Sequence, residues 1–495
     1  MSEGLILVRL SGEVSTKSQR VRRRFVQRLT DNMRAALRQA GIGARLRNEW
    51  SRIFVEADDS TAAVEVLRRV FGVASLSPVE HTCAPELEEI VRIGEEAYRD
   101  VVRGRTYAVR ARRSGKHAFS AQDVNVQLGA ALNPYATVNL DHPDVTVHVE
   151  VRPERAYLFT RVIPGYGGLP VGVEGKAVCL ISGGFDSAVA AWLMLKRGVE
   201  LDYVLCNLAG AAYERSVLAV VKLLAEAWSC GSRPRLFVLD FEPLVPLLRE
   251  RVKQPYLQVI LKRFMYRAGV RVAELVGAHA IVTGESVGQV SSQTLANLQA
   301  IDAVATYPVL RPVIAYNKEE ITQLAAEIGT YALSAVIQEY CALVPRHPVT
   351  AATPHAADVA EQDMDPGVLD EIMRSRRVID VLEVREADYA VDYVFVERVP
   401  DGAVVIDCRP EALYEEWHYP GAEHRDVGEL LVNYKQLPRT REYVLYCTWG
   451  LQSAAIAEQM QREGYRAYSF KGGITALRRY VEQLSSGVRD DDQGS

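Results

Sequence analysis

Cysteine is scarce in this chain: seven residues in 495 (Cys83, Cys179, Cys206, Cys230, Cys341, Cys408 and Cys447), scattered, odd in number and forming no CxxC pair. That argues against a disulfide framework and against a zinc site, and leaves individual thiols as candidates for chemistry. Long apolar runs are missing too: no window approaches eighteen uninterrupted apolar residues, which argues against a membrane-spanning helix. Residues 1–9 lack the charged-then-apolar layout of a secretory signal. The expectation is a cytoplasmic protein without membrane contact. No internal repeat is visible, which sets aside solenoids. Charge of one sign is also lacking, with 58 Lys and Arg against 63 Asp and Glu and a net charge of −5.

At this length, three or four domains, each with its own core, are expected. A composition of 48% hydrophobic and 24% charged residues is that of a soluble globular protein. The charges are unevenly placed. Residues 1–50 carry eleven Lys or Arg against four acids, residues 101–120 carry six basic residues and no acid, and residues 358–416 carry seventeen acids against six Arg. One end of the chain suits phosphates and the other repels them, although solvated helix faces give the same counts.

Strands are expected at 5–10, 52–57 and 73–78, a loop at 12–17 and helices at 20–40 and 60–70, the pattern of a small ferredoxin-like α+β unit. A second small unit, about 86–161, offers strands at 106–111, 146–151 and 156–162 and a helix at 121–131. Gly165, Gly167, Gly168 and Pro170 then mark a boundary. From Lys176, continuous apolar strands alternate with helices, implying a doubly wound parallel sheet whose ligands sit at the strands' C-terminal ends. Residues 345–365 show no period and read as a linker; another compact α/β unit follows from about 402, and the tail 489–495 reads as disordered.

The sharpest local feature is Ser182-Gly183-Gly184-Phe185-Asp186-Ser187, set between an apolar strand and a helix. Glycines let backbone approach an anion closely, and Ser182, Ser187 and the free amides of the helix start offer donors to phosphate oxygens. The Walker pattern is absent, since no Lys closes the loop. The loop resembles the PP-loop of ATP pyrophosphatases, which split ATP between the α and β phosphates and activate an oxygen by adenylation. A carboxylate beside polyphosphate, here Asp186, is unfavourable unless it serves a metal ion or orients the reacting group. Cys447 ends a second apolar strand and opens a loop into a helix, where backbone amides stabilise a thiolate or a persulfide.

Over its whole length the chain resembles the tRNA uridine 4-sulfurtransferases (4-thiouridine synthetases). Beyond the SGGFDS loop, the resemblance rests on residues 284–294 (GESVGQVSSQT), Arg311-Pro312, Asn317-Lys318-Glu319-Glu320 and Glu339-Tyr340-Cys341. It implies a multidomain α+β and α/β chain: a ferredoxin-like domain at 1–80, a THUMP RNA-binding domain at 81–165, a doubly wound PP-loop ATP pyrophosphatase domain at 172–344, a linker at 345–397, a rhodanese-like domain at 398–485 and a tail at 486–495. It further implies that Leu180, Ile181, Lys262, Gly284 and Gln293 line an ATP site with Ser182, Gly183, Gly184 and Ser187 and that Asp186 is catalytic; Lys262 and Lys318 are the lysines expected to neutralise phosphate charge. No resident protein metal site is implied, Mg²⁺ arriving with ATP.

By the same resemblance Cys447 carries a persulfide in a rhodanese loop that lacks Arg and Lys, with Asp407 at a preceding strand end, and Cys341 forms a transient disulfide with Cys447 as sulfur leaves. The pairing needs the rhodanese domain to swing across a flexible tether of roughly twenty residues. The implied partners are tRNA, a cysteine desulfurase, an external disulfide reductant, a sulfur-carrier protein for thiamine thiazole synthesis and a second copy of the chain. Arg20, Arg22, Arg23, Arg24 and Arg28, with Arg110, Arg112, Arg113 and Lys116, are the expected phosphate contacts. Two rivals stand beside this reading: sulfur-carrier thiocarboxylate synthesis as the main role, and an RNA-binding protein with an inactive ATP site. The other five cysteines read as packing residues.

Overall fold

The computed structural model describes residues 4–49, 52–208, 210–335, 337, 347–385, 394–448 and 450–485. The chain divides into two compact units, one of Met1–Glu174, Lys196–Gly198 and Cys230–Ser232, the other of Gly175–Leu195, Val199–Ser229 and Arg233–Ser495. Among the described residues no helix is long and apolar enough to cross a membrane.

The first unit holds two sheets. In one, Leu5–Leu10 lies between Arg52–Ala57 and Val73–Pro78, and all pairings are antiparallel. Ile6 and Val8 bury against Phe25, Leu29 and Met33 of the helix Gln19–Gln39, whose apolar residues recur at the spacing that puts them on one face. The loop expected at 12–17 contains the short helix Gly12–Ser15. The strand Ala44–Glu49 was not expected, because its side chains are largely exposed and show no apolar alternation. In the second sheet, Thr106–Arg113 runs parallel to Val145–Val151, which pairs antiparallel with Ala156–Phe159. A capping box of Ser120 and Asp123 starts the helix Ala121–Leu132. The helix Leu87–Val102 escaped the sequence reading although Leu87, Ile90, Val91, Tyr98 and Val102 trace one face of it. Before the expected boundary the chain returns to the first sheet, where Ile163–Pro164 pairs with Val73–Pro78.

The second unit contains the parallel sheet foreseen from Lys176. Its strands are β1 (Lys176–Leu180), β2 (Glu200–Asn207), β3 (Arg235–Asp240), β4 (Ile281–Val282), β5 (Val309–Leu310) and β6 (Arg377–Asp380), in the order β5-β4-β1-β2-β3-β6. All neighbours are parallel except β3 and β6. The chain leaves β1 towards β2 on one side and later returns to place β4 on the other. The C-terminal end of β1 is therefore a topological switch point, where open α/β sheets bind ligands. The helices α1 (Phe185–Lys196), α2 (Gly210–Trp228), α3 (Leu257–Val276), α4 (Lys318–Glu327) and α5 (Tyr331–Ala335) accompany this sheet.

The linker expected at 345–397 is corrected over 347–385; residues 345–346 and 386–393 lie outside the described residues. Helices Pro354–Glu361 and Gly367–Arg374 form there, β6 pairs with β3, and Ala357, Leu369 and Ile372 enter the sheet's core. Its composition of Ala, Pro, His and Asp hides short helices whose apolar residues are few, so periodicity had little to act on. A parallel sheet follows, β7 (Phe395–Val396), β8 (Val404–Asp407), β9 (Glu423–His424), β10 (Glu442–Tyr446) and β11 (Arg466–Phe470), in the order β7-β11-β10-β8-β9. The helix α6 (Leu451–Arg462) packs on β10 and β11. The tail from 486 lies outside the described residues.

Candidate active site

The loop after β1 is closed by its own hydroxyls. The backbone N–H of Ser182 donates to Ser187 Oγ at 3.2 Å, the two hydroxyl oxygens are 3.2 Å apart, and Ser187 Oγ donates to the Gly184 carbonyl at 3.1 Å. Gly183 has φ +77°, and a Cβ there would lie 2.5 Å from Ile337 Cδ1. Only glycine adopts that turn without strain. Leu180 and Ile181 lead into the loop from the strand, the latter buried with its N–H bonded to the Val204 carbonyl. Gly284, past the end of β4, approaches so closely that a Cβ would fall 2.4 Å from the Ser187 nitrogen and 2.5 Å from the Asp186 carbonyl carbon. The fold thus brings residues 182–187 and 284 together.

Asp186 stands in the first turn of α1. Lys318 Nζ is 3.2 Å from each of its carboxylate oxygens, and Gln289 Nε2 donates to Oδ2 at 2.9 Å. Lys318 itself opens α4, whose start is fixed by a capping box between Asn317 and Glu320, and its ammonium lies 5.3 Å from the centre of the Phe185 ring. Gln289 was missed in the sequence reading, although it sits inside the 284–294 motif.

Lys262 is placed differently from a free phosphate ligand. Its Nζ is 2.7 Å from Glu285 Oε1, while Glu285 Oε2 accepts from Tyr266 OH at 2.5 Å, Arg311 Nε at 2.9 Å and Thr283 Oγ1 at 3.2 Å. Burial pushes the Glu285 carboxyl up, but the Lys262 ammonium and the hydrogen bonds outweigh it and hold the pKa at about 2. Arg311 continues the network to Asp302. Glu285, Tyr266 and Arg311 had no role assigned from sequence. Glu285 and Arg311 are a charged pair inside the two quoted motifs, whereas Tyr266 lies outside them and offers no signal. Gln293 is buried, and its side-chain oxygen has no hydrogen-bond partner among the described residues.

Cys447 follows β10. Its Sγ accepts a hydrogen bond from Ser453 Oγ at 3.4 Å, and Ser453 Oγ lies 2.9 Å from Ser469 Oγ. The loop turns through Gly450, φ +80°, and is closed by the Ile474 N–H on the Cys447 carbonyl at 3.0 Å. A Cβ on Gly473 would lie 2.7 Å from the Gly450 nitrogen. Asp407 does not reach the thiol through any described hydrogen bond. It is fully buried, paired with the Arg409 guanidinium at 2.6 Å and accepting from Tyr446 OH at 2.7 Å, which makes it a brace beneath the loop. Ser453 and Ser469 supply polar contacts that the reading of the loop did not include. Cys341, with Glu339 and Tyr340, and Trp449 lie outside the described residues.

The remaining thiols behave as packing residues. Burial pushes Cys83 and Cys230 up to about 11 and Cys179 up to about 12, and raises Cys206 and Cys408 as well. Of the nine residues expected to contact phosphate, Arg20, Arg23, Arg24, Arg110, Arg112, Arg113 and Lys116 are exposed, and Arg22 and Arg28 are half-buried. Arg28 bonds the carbonyls of Val171 and Gly231, and Arg110 that of Leu140. Those two guanidinium groups brace loops.

Residues 5–77, 86–161, 172–365 and 394–479 match in turn the families described as ThiI ferredoxin-like domain, THUMP domain, Thiamine biosynthesis protein (ThiI) and Rhodanese-like domain. The chain is 37% identical over 484 residues to the tRNA sulfurtransferase of Desulfurococcus amylolyticus, a match spanning 96% of this chain and 99% of that one. It is 34% identical to the tRNA sulfurtransferase of Yersinia enterocolitica over 93% of this chain and 98% of that one. Among solved structures, a 4-thiouridine synthetase–RNA complex with bound ATP is 32% identical, with a TM-score of 0.68, over 76% of this chain and 99% of that one.

Proposed function

Since the chain belongs to the tRNA sulfurtransferase family, we propose that it makes 4-thiouridine in tRNA, activating the base with ATP at the loop after β1 and delivering sulfur from a Cys447 persulfide. The observation that carries this reading is the pairing, in one chain, of two strand ends: the hydroxyl-closed anion loop with its Asp186–Lys318 pair, and a cysteine held by Ser453.

In the first half-reaction the uridine 4-carbonyl oxygen attacks the α-phosphorus, the α–β P–O bond breaks and pyrophosphate leaves. The amides of Gly183 and the start of α1 are the donors for phosphate oxygens, with Ser182, which accepts from the Gly184 N–H at 3.4 Å, and Ser187 holding the loop's shape. Lys318 offsets charge that develops on the phosphates, and Asp186 holds that ammonium in place. Mg²⁺ enters as part of the substrate. Asp186 supplies the kind of oxygen donor it prefers, and among the described residues no cluster of three His, Cys, Asp or Glu makes a resident metal site. Lys262, tethered by Glu285, contributes an oriented positive charge, and the unpaired oxygen of Gln293 is an acceptor for a donor on the nucleotide.

In the second half-reaction a cysteine desulfurase loads Cys447. The terminal persulfide sulfur leaves as Cys341 Sγ bonds to Cys447 Sγ, and it displaces AMP from C4 of the base. A dithiol reductant then resets the disulfide, two electrons per turnover. The exposed Arg20, Arg23, Arg24, Arg110, Arg112, Arg113 and Lys116 are the phosphate contacts for tRNA, which is read by shape. The same persulfide relay serves, as a second role, a sulfur-carrier thiocarboxylate for thiazole synthesis, in keeping with the thiamine description of the family matched at 172–365.

The test is nucleoside mass spectrometry of unmodified tRNA incubated with the protein, ATP, Mg²⁺, cysteine and a desulfurase. Replacement of oxygen by sulfur on uridine is the expected result. No gain, even with inorganic sulfide in place of the desulfurase, overturns the tRNA reading and leaves the carrier-protein role.

A further inference from the structure

We infer that α5 with the flanking residues 328–330 and 337 forms the seat on which the persulfide-bearing domain docks against the ATP-binding domain, so that sulfur is handed over from a docked domain and not from one swinging on a tether. The inference deepens the sulfur-relay reading and rests on it.

Both domains own this segment. Ala332 is fully buried in a hydrophobic cluster otherwise built by the rhodanese-like domain, including Val394, Leu430, Ile456 and Met460. Three residues earlier, the Gly329 carbonyl accepts a hydrogen bond from Gln452 Nε2 at 2.6 Å. On its other side the segment is held by the PP-loop domain. Trp228 Nε1 donates to the Ile328 carbonyl at 3.0 Å, and the Tyr331 ring packs on Phe185 with centroids 5.4 Å apart. Ile337 fills the space beside Gly183, in the phosphate loop itself.

The docking bond is also next to the sulfur. Gln452 adjoins Ser453, whose hydroxyl donates to Cys447 Sγ, in the first turn of α6. On the PP-loop side, Cys341 follows Ile337 by four positions, a chain length that spans at most ~14 Å. One short segment therefore contacts the phosphate loop, seats the helix that supports Cys447 and leads directly into Cys341. A tether of disordered chain is not required, because residues 347–385 fold onto the PP-loop sheet. Docking supplies the effective concentration that a linker would otherwise provide.

The test uses full-length Gln452→Ala and Ala332→Glu, which remove the bond and place a charge in the shared core. Three readouts are needed: persulfide loading of Cys447 by a desulfurase, 4-thiouridine formation driven by the desulfurase, and 4-thiouridine formation driven by inorganic sulfide. The expected result is at least a tenfold loss of desulfurase-driven thiolation in Gln452→Ala, with loading and sulfide-driven thiolation unchanged. Unchanged desulfurase-driven thiolation in Gln452→Ala overturns the proposal. Hydrogen exchange across 328–337 separates docking from function: slow exchange in the parent chain and fast exchange in both variants support the seat even if the parent makes no 4-thiouridine, and equal exchange in all three overturns it. Should Ala332→Glu fail to fold, Gln452→Ala alone decides the outcome.

Discussion

Lys318 Nζ lies 3.2 Å from both carboxylate oxygens of Asp186, although 132 positions separate the two residues. A lysine that meets a carboxylate symmetrically is held as a point charge with its donors directed, and here it is held beside the hydroxyl-closed loop after β1. Removing either partner leaves the other misplaced in a different way. Lys318→Ala removes charge from the phosphate site and is expected to slow ATP-dependent pyrophosphate release by about 10²–10³-fold. Asp186→Asn keeps size and one acceptor oxygen but frees the ammonium, and is expected to lose a similar factor. Both should bind tRNA as the parent does, because the exposed basic residues of the first unit are untouched. Measuring pyrophosphate release and tRNA affinity side by side checks this, and normal release in Lys318→Ala refutes the assignment.

Gly284→Ala tests the loop from the opposite strand. The new methyl would sit 2.4 Å from the Ser187 nitrogen and 2.5 Å from the Asp186 carbonyl carbon, both backbone atoms that cannot rotate away. The phosphate loop must move as a body, at a cost of about 1–3 kcal/mol. ATP affinity is expected to fall by at least about tenfold, while thermal unfolding shows a cooperative transition. Isothermal titration of ATP into the two proteins reads the difference directly.

Around Cys447 the expectations divide by sulfur source. Cys447→Ala should abolish thiolation driven by cysteine and a desulfurase yet retain thiolation driven by excess sulfide, since only delivery is lost. Ser453→Ala removes the hydroxyl that donates to Cys447 Sγ at 3.4 Å. Loss of one such bond, ~1 kcal/mol, corresponds to about a fivefold slower desulfurase-driven rate. Equal loss with both sulfur sources would assign Ser453 to folding and not to the thiol.

How much of this was legible beforehand follows from where each signal resides. The phosphate loop was readable because its function needs glycines and hydroxyls at consecutive positions, so residues 182–187 advertise themselves. Gly284 was readable only through the family motif, since nothing in its neighbours says that Ser187 lies against it. Glu285 was quoted in that motif without a role, because its partners Lys262, Tyr266 and Arg311 lie 19 to 26 positions away and meet it only through the fold. The helix Leu87–Val102 carries a clear apolar stripe, whereas the edge strand Ala44–Glu49 offers almost no alternation. The linker reading failed at 347–385 for a physical reason: short helices with one or two buried residues each, such as Ala357, leave no periodic trace.

Glu285 sets the last prediction, an acid dependence of stability. Its carboxyl has a pKa of about 2 against an ordinary 4.5. The folded state therefore stabilises the charged form, so that contribution is fully present above about pH 4.5 and drains away as pH falls towards 2, roughly 3 kcal/mol in all. Glu285→Gln cannot titrate there and leaves the Lys262 ammonium without its partner at 2.7 Å, while Arg311 keeps Asp302. The variant is expected to be less stable by about 3 kcal/mol at neutral pH, with a shallower loss of stability between pH 5 and pH 2 than the parent. Urea unfolding midpoints measured at half-unit pH steps decide the matter: parallel curves for parent and variant would show that the network does not hold Glu285 in its charged form.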